Sequence, residues 1–285
     1  MEGFRVQQAG RNKEPNVMHN PYLITEPTCI SFSGGRTSAF MLYKILEAHD
    51  MSLPKDAFVC FANTGKEEEA TLQFIQHCSD AWNVEIHWLE YLTNEPKFKR
   101  VTYSTASRNG EPFEDLIKKR MYLPNPVTRF CTIELKIRTI HKYLKSCGWN
   151  DHSENDDWMG IRADEPRRAA KISDKSRIPL AVNGITVADV INFWNSQSFD
   201  LELPSYKGRT VHGNCDLCFL KPTAQVLSLV NEKPEKAIWW MNMEKLTNQP
   251  FRQDRPTYSS MLQFSKEQID MFNADEETIA CFCGD

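Results

Sequence analysis

With 285 residues, 41% hydrophobic and 25% charged, the chain has ordinary globular proportions and is too apolar for wholesale disorder. Its 34 basic and 38 acidic side chains leave a formal charge of -4, which excludes a chain-wide nucleic-acid footprint and leaves room for a local basic patch. No apolar run approaches the ~18 residues of a membrane span, and the opening MEGFRVQQAGRNKEPNVMHN lacks a signal-peptide core. A cytoplasmic protein without membrane contact is expected.

In chain order, residues 1–24 have no periodicity and read as an N-terminal arm. TCISF (28–32) is a short apolar run and a buried strand, and SAFMLYKILEAH follows with Phe40, Met41, Ile45 and Leu46 at helical spacing. AFVCFA (57–62) is a second buried strand. Residues 67–82 place Leu72, Ile75, Cys78 and Trp82 on one helical stripe behind an acidic first turn. VEIHWLE (84–90) alternates as a third strand. Strands alternating with helices predict an α/β fold, a doubly wound and mostly parallel sheet.

Residues 91–130 are harder to order, being rich in Lys, Arg, Asn, Gly and Pro. A helix is predicted over 131–147, a short strand at DWMGI (157–161), and a helix capped by Thr186 that carries Val190 and Trp194. Two helices follow at 223–231 and 234–246, and SKEQ (265–268) has the form of a capping box before a last one. The domain expectation is a nucleotide-binding domain over 25–200, with a helical, cysteine-bearing part over 201–285 packed on it.

The loop Ser33-Gly34-Gly35-Arg36-Thr37-Ser38 joins the first strand to the first helix. Glycines let the backbone approach an anion, a new helix points free N–H groups at it, and Ser33, Thr37 and Ser38 add hydroxyls. Arg36 adds a fixed charge. A tight strand–helix turn would use the same residues, and neither common nucleotide fingerprint fits.

SFSGGRTS resembles the SGG-x-[TD]-S pyrophosphate loop of the PP-loop (adenine nucleotide alpha hydrolase-like) superfamily. CFANTGKEEEAT, with Asn63, Thr64 and Gly65, resembles the segment after the second strand in its phosphoadenosine phosphosulfate (PAPS) reductase branch. Thr128-Arg129-Phe130-Cys131-Thr132 with Leu135-Lys136 is similar to that branch's R-x-C-x-x-x-L-K, and MGIRADEPRR, with Arg162 and Arg168, to its G-[IL]-R-x-x-[EQ]-x-x-R. The resemblance spans about residues 28–222. It departs in two ways: the SGG loop is intact where reductases have a degenerate one, and Asn63 and Phe130 stand where reductases carry Asp and Cys. The intact loop favours ATP, cleaved to AMP and pyrophosphate, over PAPS or adenylyl sulfate. The resemblance implies an enzyme of sulfur metabolism that carries out ATP-dependent sulfur transfer, with magnesium beside the ATP, an electron- or sulfur-donor protein as partner, and nucleic acid as a sulfur acceptor. The alternatives are a true sulfonucleotide reductase and a catalytically silent binding module.

Of nine cysteines, Cys29, Cys60 and Cys78 lie in apolar stretches and read as core residues, and Cys147 as a helix end. Cys215 and Cys218 form a C-x-x-C able to hold one metal from a tight turn, and Cys131 has basic neighbours. With Cys281 or Cys283 as the fourth ligand, the resemblance implies a 4Fe-4S cluster; a structural zinc site and free thiols are the alternatives. If Cys281 is the ligand, Cys283, before Gly284, is the catalytic thiol, and Arg36 is the second catalytic candidate. Arg129, Lys136 and Arg138, with Arg162, Arg167 and Arg168, form a positive set suited to phosphate or sulfate oxygens; Lys118, Lys119, Arg120, Lys171 and Lys175 read as solvated helix faces.

Overall fold

The structure is a computed structural model that describes residues 20–149, 157–206, 209–213 and 215–267. Strand β1 (Thr28–Ser31) sits inside a five-stranded sheet ordered β4-β3-β2-β1-β5. It pairs in parallel with β2 (Ala57–Asn63) on one side and β5 (Trp158–Met159) on the other. Parallel β3 (Ile86–Tyr91) extends the sheet, and β4 (Phe98–Val101) closes it antiparallel to β3. The fold is a mixed α/β one with a mostly parallel sheet.

Side chains alternate across that sheet with period two, and each set has its own cover. Ile30, Val59, Phe61, Ile86 and Trp88 face the buried residues of α1 (Arg36–Ala48) and α2 (Glu69–Trp82). Cys29, Cys60, Ala62 and Leu89 face the opposite way, against Ile140, Tyr143 and Leu144 of α4 (Thr139–Ser146). Burial on both faces explains why β2 is a continuous apolar run. Cys29, Cys60 and Cys78 are fully buried as expected.

The segment 91–130 hid two elements. β4 carries exposed Lys99 and Arg100 on a sheet edge, which masks its strand pattern. Helix α3 (Glu111–Arg120) is mostly polar, with acids in its first turn and Lys118-Lys119-Arg120 in its last, charges that complement its dipole. The predicted 131–147 helix is two pieces: a π-helical stretch, Thr132–Arg138, and then α4. The predicted strand 157–161 shrinks to the two residues of β5.

Beyond β5 lie two single turns, α5 (Pro166–Ala169) and α6 (Pro179–Val182), and helix α7 (Val187–Asn195), which Thr186 and Asp189 close with the capping box its sequence suggests. A small ribbon of β6 (Ser205–Tyr206) and β7 (Arg209–Thr210) precedes α8 (Thr223–Glu232), α9 (Ala237–Thr247) and α10 (Tyr258–Glu267). The helices bury Trp240, Phe251, Tyr258 and Phe219 with Phe113 and Leu116 of α3. The predicted helix at 234–246 opens as a 3-10 turn, Pro234–Lys236, before α9. SKEQ does not start a helix within the described residues. Ser265 lies inside α10 and donates to Leu262 O at 2.8 Å, a local bond open to any helical serine. The N-terminal capping oxygen is that of Thr257, which accepts from Ser260 N–H at 3.2 Å.

Glu68, at the start of α2, ties this helical layer to the sheet by pairing with Lys236 and, at 3.6 Å, with Lys233. Burial works to raise its pKa, but Lys236 and then Lys233 win and hold it below the ordinary carboxylate range. A depressed folded pKa contributes stability above the unfolded value of about 4.3, lost as pH falls through the folded value. Glu68→Gln is therefore expected to be less stable than the native chain at pH 7, with the gap closing as pH approaches 3.5. Urea midpoints at both pH values check it; a constant gap would contradict the pairing.

Candidate functional site

The chain leaves β1 toward β2 and returns to pair β5 on the other side of β1. That reversal opens a crevice at the carboxyl ends of the strands, the usual ligand position in open α/β sheets. The loop 33–38 occupies it. Ser33 N–H and Ser33 Oγ meet Ser38 Oγ at 3.2 and 2.9 Å, and Ser38 Oγ donates to Gly35 O at 2.9 Å. Gly35 starts α1 without a side-chain cap, so first-turn N–H groups remain directed at the crevice.

The two glycines at the loop's flanks have packing reasons. Gly34 has φ +78°, and a Cβ there would stand 2.8 Å from Thr71 Cγ2 and Ile75 Cδ1 of α2. At Gly160, just past β5, a Cβ would stand 3.0 Å from Ser38 Cα. Its absence lets the end of β5 lie against the first turn of α1.

A cavity of about 510 Å³ opens beside this loop. Ser33, Ser38 and Gly160 line it together with five cations, Arg129, Lys136, Arg168, Lys171 and Arg177, and one carboxylate, Asp157. Phe32, Phe61, Ala62, Ile137, Ile140 and Met159 supply an apolar wall. The wide turn of the π-helix aims Thr132 with Lys136, and Ile133 with Ile137, at the same space. Arg168 is 8% exposed, its Nη1 donates to Glu165 Oε1 at 2.5 Å, and its buried Nε has no hydrogen-bond partner. A buried guanidinium N–H left unsatisfied is costly, and an anionic ligand would repair it.

The remaining predicted residues are placed as follows. Thr37 accepts from Arg162 Nη1 at 2.9 Å, and Arg162 is held by Asp164 at 2.9 Å and Glu165 at 3.7 Å. The guanidinium of Arg36 binds Asp200 at 2.7 and 2.8 Å, with Leu201 O as a further acceptor. Thus Arg36 and Thr37 are engaged by other side chains, and neither is among the cavity-lining residues. Asn63 is buried away from the cavity against Glu90, 2.6 Å from Nδ2 to Oε1, and accepts from Gly65 N–H at 3.1 Å. Thr64 binds Glu67, and Glu67 lies 3.7 Å from Lys136 on the cavity wall.

Cys215 docks on this same loop, through an antiparallel bridge to Glu67 and a 3.5 Å contact with Thr64 Oγ1. Burial pushes its thiol up, Glu67 and Cys218 add to that, and Lys136 opposes them. Cys131, Cys215 and Cys218 all border the apolar cluster of the C-terminal helices. Cys281 and Cys283 lie outside the described residues. Among the described residues no group of three or more His, Cys, Asp or Glu side chains is arranged to hold a metal ion. The described donors therefore do not by themselves make the expected four-cysteine centre.

Sequence reasoning missed Asp157, Gly160 and Arg177, and it assigned Lys171 to a solvated face although this exposed lysine lines the cavity. Arg120 also does more than face solvent: it bonds Glu134 at 2.5 Å and lies over the Phe130 ring. Gly160 had a signal, since MGIR follows an apolar strand; Arg177, in a polar SDKSR context, had none.

These features define an α/β protein with a cationic cavity at the carboxyl ends of its central parallel strands. Among the described residues no helix is long and apolar enough to cross a membrane. The chain is 31% identical over 212 residues to the "Uncharacterized nin region protein ORF290" of Escherichia phage lambda, a match covering 69% of this chain and 67% of that protein. It belongs to that protein's family. No family model matches the chain, and no solved structure matches it.

Proposed function

We propose that this chain is a PP-loop enzyme of the PAPS-reductase-like type, binding an adenine nucleotide with its phosphates at residues 33–38 and using ATP for sulfur transfer. One observation carries the reading: Ser33 and Ser38 of the strand–SGGRTS–helix loop line the same cavity as Arg168, whose Nε lacks a hydrogen-bond partner. Ser33, Ser38 and the first-turn N–H groups would take phosphate oxygens, while Arg168, Lys136 and Arg129 would neutralise charge as an acceptor attacks the α-phosphorus and pyrophosphate leaves. The apolar wall suits a flat base.

Calorimetric titration of the whole chain with ATP tests this. Arg168→Met is expected to weaken ATP binding tenfold or more, about 1.4 kcal/mol, in a protein that still melts cooperatively. ATP affinity unchanged in the folded variant would remove the reading. Reduction of PAPS or adenylyl sulfate to sulfite without any use of ATP would instead place the chain among the sulfonucleotide reductases.

A further inference from the structure

We propose that Asp157 selects the base of the bound nucleotide, its carboxylate reading the exocyclic amine of a 6-aminopurine. This rests on the nucleotide reading above and adds a specificity residue to it.

The register of the sheet sets the distance. Ile30 pairs with Trp158 and Ser31 with Met159, so Asp157 stands level with Cys29, four positions upstream of Ser33. At 3.3 Å per residue that is about 13 Å from the phosphate loop, the direction and scale of a nucleoside laid along the sheet with its phosphates at the loop. Ser31, Met159, Ala62, Ile137 and Ile140 line the space between, a mostly apolar slot for a flat ring.

Charge argues the same way. Five cations line the cavity, and Asp157 is the one carboxylate among the lining residues. Near phosphates a carboxylate repels; at the far end it has other work. It is held in place by neighbours: Oδ1 lies 4.0 Å from His141 Nε2, the Cys29 thiol is in hydrogen-bonding contact with it, and its main-chain oxygen accepts from Arg177 Nη2 at 2.7 Å. A carboxylate has about four lone-pair directions, so it can hold such neighbours and still accept from a ligand N–H.

An acceptor-only group discriminates sharply. A 6-aminopurine brings N6–H donors to a carboxylate aimed at its C6 substituent, whereas a 6-oxopurine puts an acceptor there and moves its donor to N1, leaving two oxygens facing each other. ATP should therefore bind the whole chain on the order of tenfold or more tighter than ITP, which carries an oxygen at C6 and a proton at N1. Asp157→Asn, whose amide can donate as well as accept, should shrink the gap to about threefold or less. N6,N6-dimethyl-ATP, lacking the N–H donors, should bind the native chain as weakly as ITP.

Titration calorimetry with these three nucleotides, and thermal melts of the variant, read the outcome. Equal ATP and ITP affinities in the native chain, or an unchanged gap in folded Asp157→Asn, overturn the assignment and leave the nucleotide site standing. If the variant does not fold, the dimethyl analogue decides: ATP-like affinity overturns the proposal, and ITP-like affinity supports it. Failure to bind any of the three overturns the nucleotide reading and this inference with it.

Discussion

Asn63→Asp is expected to cost at least about 3 kcal/mol at neutral pH, the range for an uncompensated buried charge, and to cost less as pH falls. Asn63 and Glu90 are both fully buried, and the Asn63 amide donates to Glu90 Oε1 at 2.6 Å. Glu90 also accepts from Ser107 N–H at 2.6 Å and Ser107 Oγ at 2.8 Å, and pairs with Lys99 at 2.9 Å. An aspartate at position 63 would turn the donor into a second anion, and two carboxylates sharing a site raise one pKa. A folded pKa raised above the unfolded one means stability is present at low pH and lost as pH rises through it. Urea unfolding at pH 5 and pH 8 should show the larger deficit at pH 8. A loss below about 1 kcal/mol, or one independent of pH, would contradict it.

Asp216→Ala should rank with it, at about 3–5 kcal/mol. Asp216 and Lys66 form a pair at 3.0 Å with side chains 5% and 6% exposed. Asp216 also accepts from Trp240 Nε1 at 2.9 Å, and the Lys66 ammonium lies over the Trp239 ring. Truncation strands a buried ammonium and an indole N–H together. Replacing both charges, as in Lys66→Met with Asp216→Asn, removes the stranded cation and keeps an acceptor for Trp240. The double variant should recover more than half of the loss. Strict additivity of the Lys66→Met and Asp216→Asn single losses in a double-mutant cycle would argue that the pair is not coupled.

The α/β alternation, the first three strands and the loop 33–38 were legible because buried runs and helical stripes are local patterns. β4 was not, since half of its residues are exposed cations on an edge. The π-helical turn was invisible because Thr132–Arg138 has ordinary helical composition. Arg36 shows the limit of loop chemistry read by itself: its partner, Asp200, lies 164 positions away. Likewise Asp157 became a cavity residue only through the pairing of β5 with β1.

That pairing also sets an order of assembly. β1 can join β2 soon after both leave the ribosome, but its other neighbour arrives about 130 residues after it. At ordinary synthesis rates this delay is roughly 6–26 s. Meanwhile β1 has an open edge, with unpaired N–H and C=O groups that can template another chain. Ribosome pausing ahead of Trp158 would prolong that exposure, so nascent chains halted there are expected to aggregate more than the finished chain.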